Sequence, residues 1–525
     1  MENGSSSHKS IRSAGRVSAG TLTSRILGLV REQVFAYLFG AGMAADAFVA
    51  AFRIPNLLRD MFAEGALSAA LIPTLTEKLT KEGKSEAYRV AQIFLSFLLS
   101  IVTLIVVAGI IFAPDVVELI AGGFGDVPGK LSLTTDLARI MMPFLLLVSI
   151  AALVMGILNS LGIFGVPAFA PMMLNLGMIF AGFFICPFFD PPIIGMAIGV
   201  ILGGLGQLIF QVPAALKQGF RFKLNFGFSD PAFRKIIILM IPMAIGFSAT
   251  QINVFIVTRI AASLQQGAVA YLNYAFRLMH LPLGIFALAI ATVTLPEISR
   301  YAAMDNRSDM AKAYMRSLKL GLFLVIPASA LLIFGGRAII AVLFQHGQFD
   351  YSDTLGASSA LAFYSIGLMA YAAVRITVPV FYAFKQTARP IAASIFSVAI
   401  NIFFCYMLKD SLAYRGLALA ASISGFVNIT ILLFMLKLKA RLPELAIRPH
   451  IKPLAKILFI NAILVGLLLL WDRFLTFGLQ DAGLGIRIIN LLILLIGAII
   501  IYIAMARLTR IEQLKGLQEI FRRIK

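Results

Sequence analysis

Two runs of this chain, "IFLSFLLSIVTLIVVAGIIFA" at 93–113 and "IINLLILLIGAIIIYIAMA" at 488–506, contain no charged residue. A helix of that length crosses a hydrocarbon core of about 30 Å, and lipid admits only helices or closed barrels. The rest of the chain follows suit: of 525 residues, 60% are hydrophobic and only 13% charged. A soluble domain of ordinary composition carries about 25% charged residues. The fold class that follows is an all-α polytopic membrane protein. Apolar runs of spanning length predict about fourteen helices. They fall near 18–40, 44–76, 90–113, 133–161, 167–187, 193–215, 232–262, 268–298, 317–334, 355–384, 390–408, 414–437, 452–471 and 486–506.

The formal net charge of +20 reads as a membrane topology signal, because Lys and Arg collect in cytoplasmic loops facing anionic lipid. Nucleic acid is not an expected partner. With the N-terminus inside, the basic loops around Lys78–Arg89, Lys217–Lys235, Arg300–Arg316, Lys385–Arg389 and Lys437–Lys452 all fall on the cytoplasmic side. Both termini are then cytoplasmic. Lys130, Lys409, Arg415, Arg473 and Arg487 break the pattern. The polar start "MENGSSSHKSIRSAGR" has no apolar core of a cleavable signal, so the first span is expected to act as its own insertion signal. The tail from Ile511 reads as a short basic amphipathic helix lying on the membrane surface.

Enzyme chemistry finds no support. His8, His280, His346 and His450 are scattered, and the two cysteines, Cys186 and Cys405, sit in apolar surroundings. Neither a metal site nor a disulfide framework is expected, and no cofactor. The segment "GGFGDVPGKLS" lacks the Gly and Ser/Thr positions of a phosphate loop. Glycines such as those of "GVILGGLG" (199–206) are expected to let membrane helices pack closely.

Charge inside the spans is the informative feature, since a charged group at the bilayer centre costs about 2.5–3.5 kcal/mol. The first two spans carry Arg25, Arg31, Glu32, Asp46, Arg53, Arg59, Asp60 and Glu64, while the next four are nearly bare. Arg25 and Glu32, and likewise Asp46 and Arg53, are seven residues apart and share a helical face. Such faces belong against protein or water, not lipid. An excess of arginine suits a phosphate or pyrophosphate headgroup, which guanidinium binds in bidentate fashion. Glu32, Arg53 and Asp60 stay open between a role with substrate and internal ion pairing. Pro55 is expected to kink the second span. A short echo links "AAFRIPNLLRDMFA" (50–63) with "YAFRLMHLPLGIFA" (274–287), as expected of two repeated bundles.

At these residues the chain resembles the MurJ (MviN) family of lipid II flippases. The motifs are "SRILGLVRE", "FGAGMAADAF", "FRIPNLLRDMFAEGALSAALIP", "NSLGIFGVPAFAPMMLN" and "RLMHLPLGIFALAIATVTLPEIS", continuing through "LFQHGQFD". The resemblance covers nearly the whole chain. It implies membership of the multidrug/oligosaccharidyl-lipid/polysaccharide exporter superfamily, with two six-helix lobes around a central cavity plus two C-terminal helices. The lobes map to 1–218 and 219–440; residues 441–525 supply the extra helices, a groove for the lipid tail and the basic tail.

The implied function is translocation of lipid-linked peptidoglycan precursor from the cytoplasmic to the outer leaflet by alternating access, in the bacterial inner membrane. The implied cargo is lipid II, an undecaprenyl-pyrophosphate-linked disaccharide-pentapeptide. Membrane lipids and cell-wall synthesis proteins are the further partners. The cavity residues that match are Arg25, Arg31, Arg59 and Arg277, with Ser24 and Asn56 as polar partners, while Asp46 and Glu64 are expected to gate by pairing with arginines. Beside Arg277 this chain has Phe276 and His280, where the family often has further polar or acidic residues. The seventh span carries no acid, so a carboxylate-based sodium site is not expected there. A related exporter of polysaccharide-lipids or drugs, or a non-transporting envelope scaffold, stands as the alternative.

Overall fold

The computed structural model describes residues 2–60, 66–439, 448–475 and 482–514. Among them the regular structure is helical, with no strand. The chain divides into two compact units, Met1–Gln266 and Gly267–Lys525. The first contains α1 (Glu2–Phe39), α2 (Met43–Arg59), α3 (Ala66–Glu82), α4 (Lys84–Ile111), α5 (Ala113–Ala121) and α6 (Lys130–Met141). It continues with α7 (Phe144–Ser160), α8 (Gly165–Phe169), α9 (Met172–Phe184), α10 (Ile193–Lys217) and α11 (Pro231–Ala262). The second contains α12 (Ala268–Pro282), α13 (Leu288–Ala303), α14 (Arg307–Phe334), α15 (Gly336–Phe344) and α16 (Tyr351–Ile366). It ends with α17 (Leu368–Ala383), α18 (Ala388–Leu412), α19 (Tyr414–Lys439), α20 (Arg448–Leu475) and α21 (Leu484–Leu508).

Ten stretches of described helix are long and apolar enough to cross a membrane, and eleven if α16 and α17, bent by 45° at Gly367, form one span. They coincide with expected spans three to six and eight to fourteen. The first two expected spans are set apart by charge: α1 carries Arg25, Arg31 and Glu32, and α2 carries Asp46, Arg53 and Arg59. The seventh, α11, is a 32-residue helix that starts at a formed cap. Asp230 accepts from the N–H groups of Ala232 and Phe233 at 2.7 and 3.1 Å, and Pro231 needs no partner at the first position. Glu64 and the end of the tail, 515–525, lie outside the described residues.

Small residues decide how closely the helices approach, as expected of "GVILGGLG". A Cβ on Gly177 of α9 would stand 2.5 Å from the Gly203 nitrogen of α10, and one on Gly203 would stand 2.6 Å from Leu174 Cα. No side chain fits there, so the two backbones touch. In the second unit, α14 packs on α20 and α21 through Phe323, Ile326, Ile457, Ile460, Leu464, Leu494 and Tyr502. The Tyr502 hydroxyl donates to Phe323 O at 2.6 Å, which pins α21 to α14.

Pro55 lies inside α2, which runs on to Arg59. The helix then widens to a π-type turn at Asp60, and the corresponding widening after α12 covers Leu283–Ala287. The shift that aligns Phe52 with Phe276 also places Asp60 within that second turn, so the echo in sequence extends to the backbone.

Candidate functional site

The first unit gathers most of the intramembrane charge onto α1, α2 and their neighbours. Arg31 and Glu32 are both buried, and Arg31 Nη2 sits 2.6 Å from Glu32 Oε1. Burial of either alone would be costly; side by side they offset one another. Arg25, in contrast, is exposed and has no ion-pair partner among the described residues. About 21 Å of helix separates it from the end of α1 at Phe39, at 1.5 Å per residue. Its neighbour Ser24 is half-buried, with its carbonyl accepting from Asn175 Nδ2 of α9 at 3.1 Å.

On α2 the charges sort by face. Asp46 is buried against α6, where Lys130 Nζ lies 2.8 Å from Asp46 Oδ2. That lysine also stands 4.0 Å above the ring centroid of Phe124. Asp46 was expected to pair with arginines; the structure brings Lys130 against it. Arg53 turns toward α11, donating to Thr258 Oγ1 and, at 3.5 Å, to Val254 O. Arg59 pairs with Asp60 at 3.0 Å, and Gln251 Nε2 of α11 donates to the other Asp60 oxygen at 3.2 Å. Asn56 is half-buried one turn before Arg59.

The step from Arg53 to Asp60 on α2 equals the step from Thr258 back to Gln251 on α11, so two antiparallel helices meet at matched turns. Arg259 extends the contact, donating to Leu119 O of α5 at 2.6 Å. Lys235 reaches Glu77 of α3 at 2.7 Å at the other end.

In the second unit Arg277, which the echo aligns with Arg53, is half-buried on α12. Its Nε lies 3.5 Å from Asn273 Oδ1 one turn earlier. Arg375 of α17 is exposed.

Two exceptions to the loop-charge pattern have a structural reason. Lys130 is the partner of Asp46, and Arg487 is buried at the start of α21, donating to Gln345 O at 2.9 Å. Gln345 in turn accepts from Thr354 Oγ1 at 3.1 Å. Sequence reasoning missed Thr258, Gln251 and Lys130 as partners. The available signals were the matched seven-residue steps and the misplaced lysine. A pocket of about 440 Å³ lined by Gly162, Ile163, Phe164, Phe169 and Phe210 contains none of the expected site residues and no charge. Among the described residues no cluster of His, Cys, Asp and Glu could hold a metal.

The family model described as "Lipid II flippase MurJ" matches residues 35–482. A curated relative from Vibrio cholerae, "Probable lipid II flippase MurJ", is 37% identical over 433 residues, covering 81% of this chain and 82% of its own. One of the same description from Rhizobium meliloti is 34% identical over 507 residues, covering 94% and 93%. A solved lipid II flippase MurJ in an inward closed conformation superposes with a TM-score of 0.78 at 26% identity, covering 94% of this chain and 98% of that one. An inward-facing multidrug resistance MATE transporter of the MOP superfamily shares the fold alone, with a TM-score of 0.68 at 16% identity. This multi-pass membrane protein therefore belongs to the MurJ family of lipid II flippases.

Proposed function

We propose that this chain is itself a lipid II flippase, carrying the lipid-linked peptidoglycan precursor from the cytoplasmic to the outer leaflet of the bacterial inner membrane by alternating access. It acts as a transporter and catalyses no covalent step. The observation that carries the reading, beside family membership, is Arg25: a cation deep along a helix of a membrane protein, exposed and without an ion-pair partner among the described residues. Lipid does not solvate a guanidinium, so its surroundings are water or an anion. Phosphate and pyrophosphate headgroups are anions that a guanidinium binds in bidentate fashion.

In this account Arg25, Arg31, Arg59 and Arg277 contact the headgroup, with Ser24 and Asn56 as polar partners. Arg31 and Arg59 reach it by exchanging Glu32 and Asp60 for phosphate oxygens. Asp46 and Glu64 act as gate residues. Both termini face the cytoplasm. The repeated lobes are 1–218 and 219–440, with 441–525 holding the lipid tail, although α11 packs within the first compact unit here.

The test is reconstitution of the purified protein into vesicles with fluorescent lipid II in both leaflets. Protein-dependent loss of inner-leaflet label protection supports the function. Transbilayer exchange no faster than in protein-free vesicles, from protein shown to be folded and inserted, overturns it.

A further inference from the structure

The segment joining α10 to α11 has no helical residue from Phe220 to Asp230 and pairs with no strand among the described residues. Its sequence, "FRFKLNFGF" at 220–228, alternates apolar and polar residues at the period of an extended strand. Side chains of α4 take the place of a neighbouring strand. Tyr88 donates its hydroxyl proton to Gln218 O at 2.8 Å, Gln92 Nε2 donates to Arg221 O at 2.9 Å, and Ser96 Oγ accepts from Asn225 N at 2.7 Å. Tyr88, Gln92 and Ser96 are four residues apart, so they form one ladder along α4. The segment therefore descends about 12 Å along that helix, two turns at 1.5 Å per residue.

It then returns. Phe228 packs on Phe97 and Phe233, with ring centroids 6.4 and 5.6 Å away, and Asp230 meets the Arg89 guanidinium near the level where the descent began. The deepest rung, Ser96, lies inside the charge-free run of α4, whereas Glu86 and Arg89 mark its polar end. At that depth the segment leaves Leu224 and Phe226 each 62% exposed, while Arg221 and Lys223 are exposed beside them. Asp230, the acid on the segment, is already engaged by Arg89.

Exposed aromatic and aliphatic side chains at the level of a membrane boundary, alternating with exposed cations, match a layer that is apolar below and anionic above. We propose that residues 220–228 are an interfacial anchor for anionic phospholipid. Leu224 and Phe226 enter the acyl boundary, Arg221 and Lys223 hold lipid phosphates, and the Asp230–Arg89 contact ties the start of α11 to that layer. This goes beyond lipid II transport and holds whether or not the chain moves lipid II.

The experiment uses the full chain in nanodiscs of phosphatidylcholine and phosphatidylglycerol, with a single reporter tryptophan in F226W/W471F. Trp471 is the natural tryptophan. Brominated phosphatidylglycerol should quench the reporter more than brominated phosphatidylcholine at equal mole fraction. Two cations near an anionic surface correspond to about thirtyfold local enrichment at low salt. R221Q/K223Q should abolish the difference while leaving quenching by total lipid, and R221K/K223R should retain it. Equal quenching by both lipids in the parent reporter protein overturns the anionic specificity. Quenching by aqueous iodide but by neither lipid overturns the anchor itself, and a difference that survives R221Q/K223Q overturns the role of Arg221 and Lys223.

Discussion

Lys130 and Asp46, far apart in sequence, form a buried ion pair that joins α6 to α2: Nζ and Oδ2 are 2.8 Å apart, and the side chains are 3% and 1% exposed. Removing one member strands the other charge in a dry site, which costs about 3–5 kcal/mol. D46N and K130M should each lower the thermal midpoint in detergent by that equivalent, and D46L/K130M should recover most of it. The pair also decides Asp46's role. If D46N stops transport beyond what its lost stability explains, Asp46 acts as a gate as well as a clasp.

The α2–α11 contact should respond to the acceptor for Arg53. T258V removes the hydroxyl that Arg53 meets and should cost about 1.5–3 kcal/mol, the range for a hydrogen bond to a charged group. T258S should stay close to the natural protein. Hydrogen exchange localises the effect: amides of α11 around Val254–Thr258 should exchange faster in T258V, with those of α9 and α10 unchanged.

Arg487 should matter out of proportion to its place on an otherwise apolar helix. R487M removes the donor to Gln345 O, leaving a buried carbonyl short of a partner. The expected result is earlier proteolysis or faster amide exchange at the start of α21, while the Tyr502 end, held by Phe323 O, stays protected.

Acid should loosen the α3–α11 junction through Glu77. Hydrogen bonds from Lys235 and Lys81 hold its carboxyl at about 2, down from the ordinary 4.5. The folded value is the lower one, so the stabilising contribution is complete above 4.5 and disappears as pH falls towards 2. E77Q should remove that part of the acid sensitivity in unfolding midpoints measured between pH 5 and pH 2.

Much of this architecture is written in the chain at short range. Apolar runs mark α4, α7, α9, α10 and the later spans because lipid demands continuous helix. Arg31–Glu32 and Arg59–Asp60 are neighbours in sequence, so their pairing is accessible from the residue order. Long-range partners are different. Nothing near Asp46 specifies Lys130, and the lysine announces itself only by violating the loop-charge pattern, as Arg487 does. The face that Arg53 and Asp60 turn to α11 depends on an antiparallel register, which the matched seven-residue steps suggest only once the helices are known to meet. Residues 220–228 carry a strand-like alternation, but its partner is a ladder of side chains on a helix.

Headgroup capture by Arg25, Arg59 and Arg277 is what transport turns on. The direct measurement is outer-leaflet lipid II in cells depleted of their own flippase and supplied with R25A, R59A or R277A at matched membrane abundance. R25A should lose transport by at least about tenfold without loss of folded protein, as for a lost hydrogen bond to a charged group, with R25K recovering part of it. Wild-type levels of outer-leaflet lipid II from all three variants would contradict it.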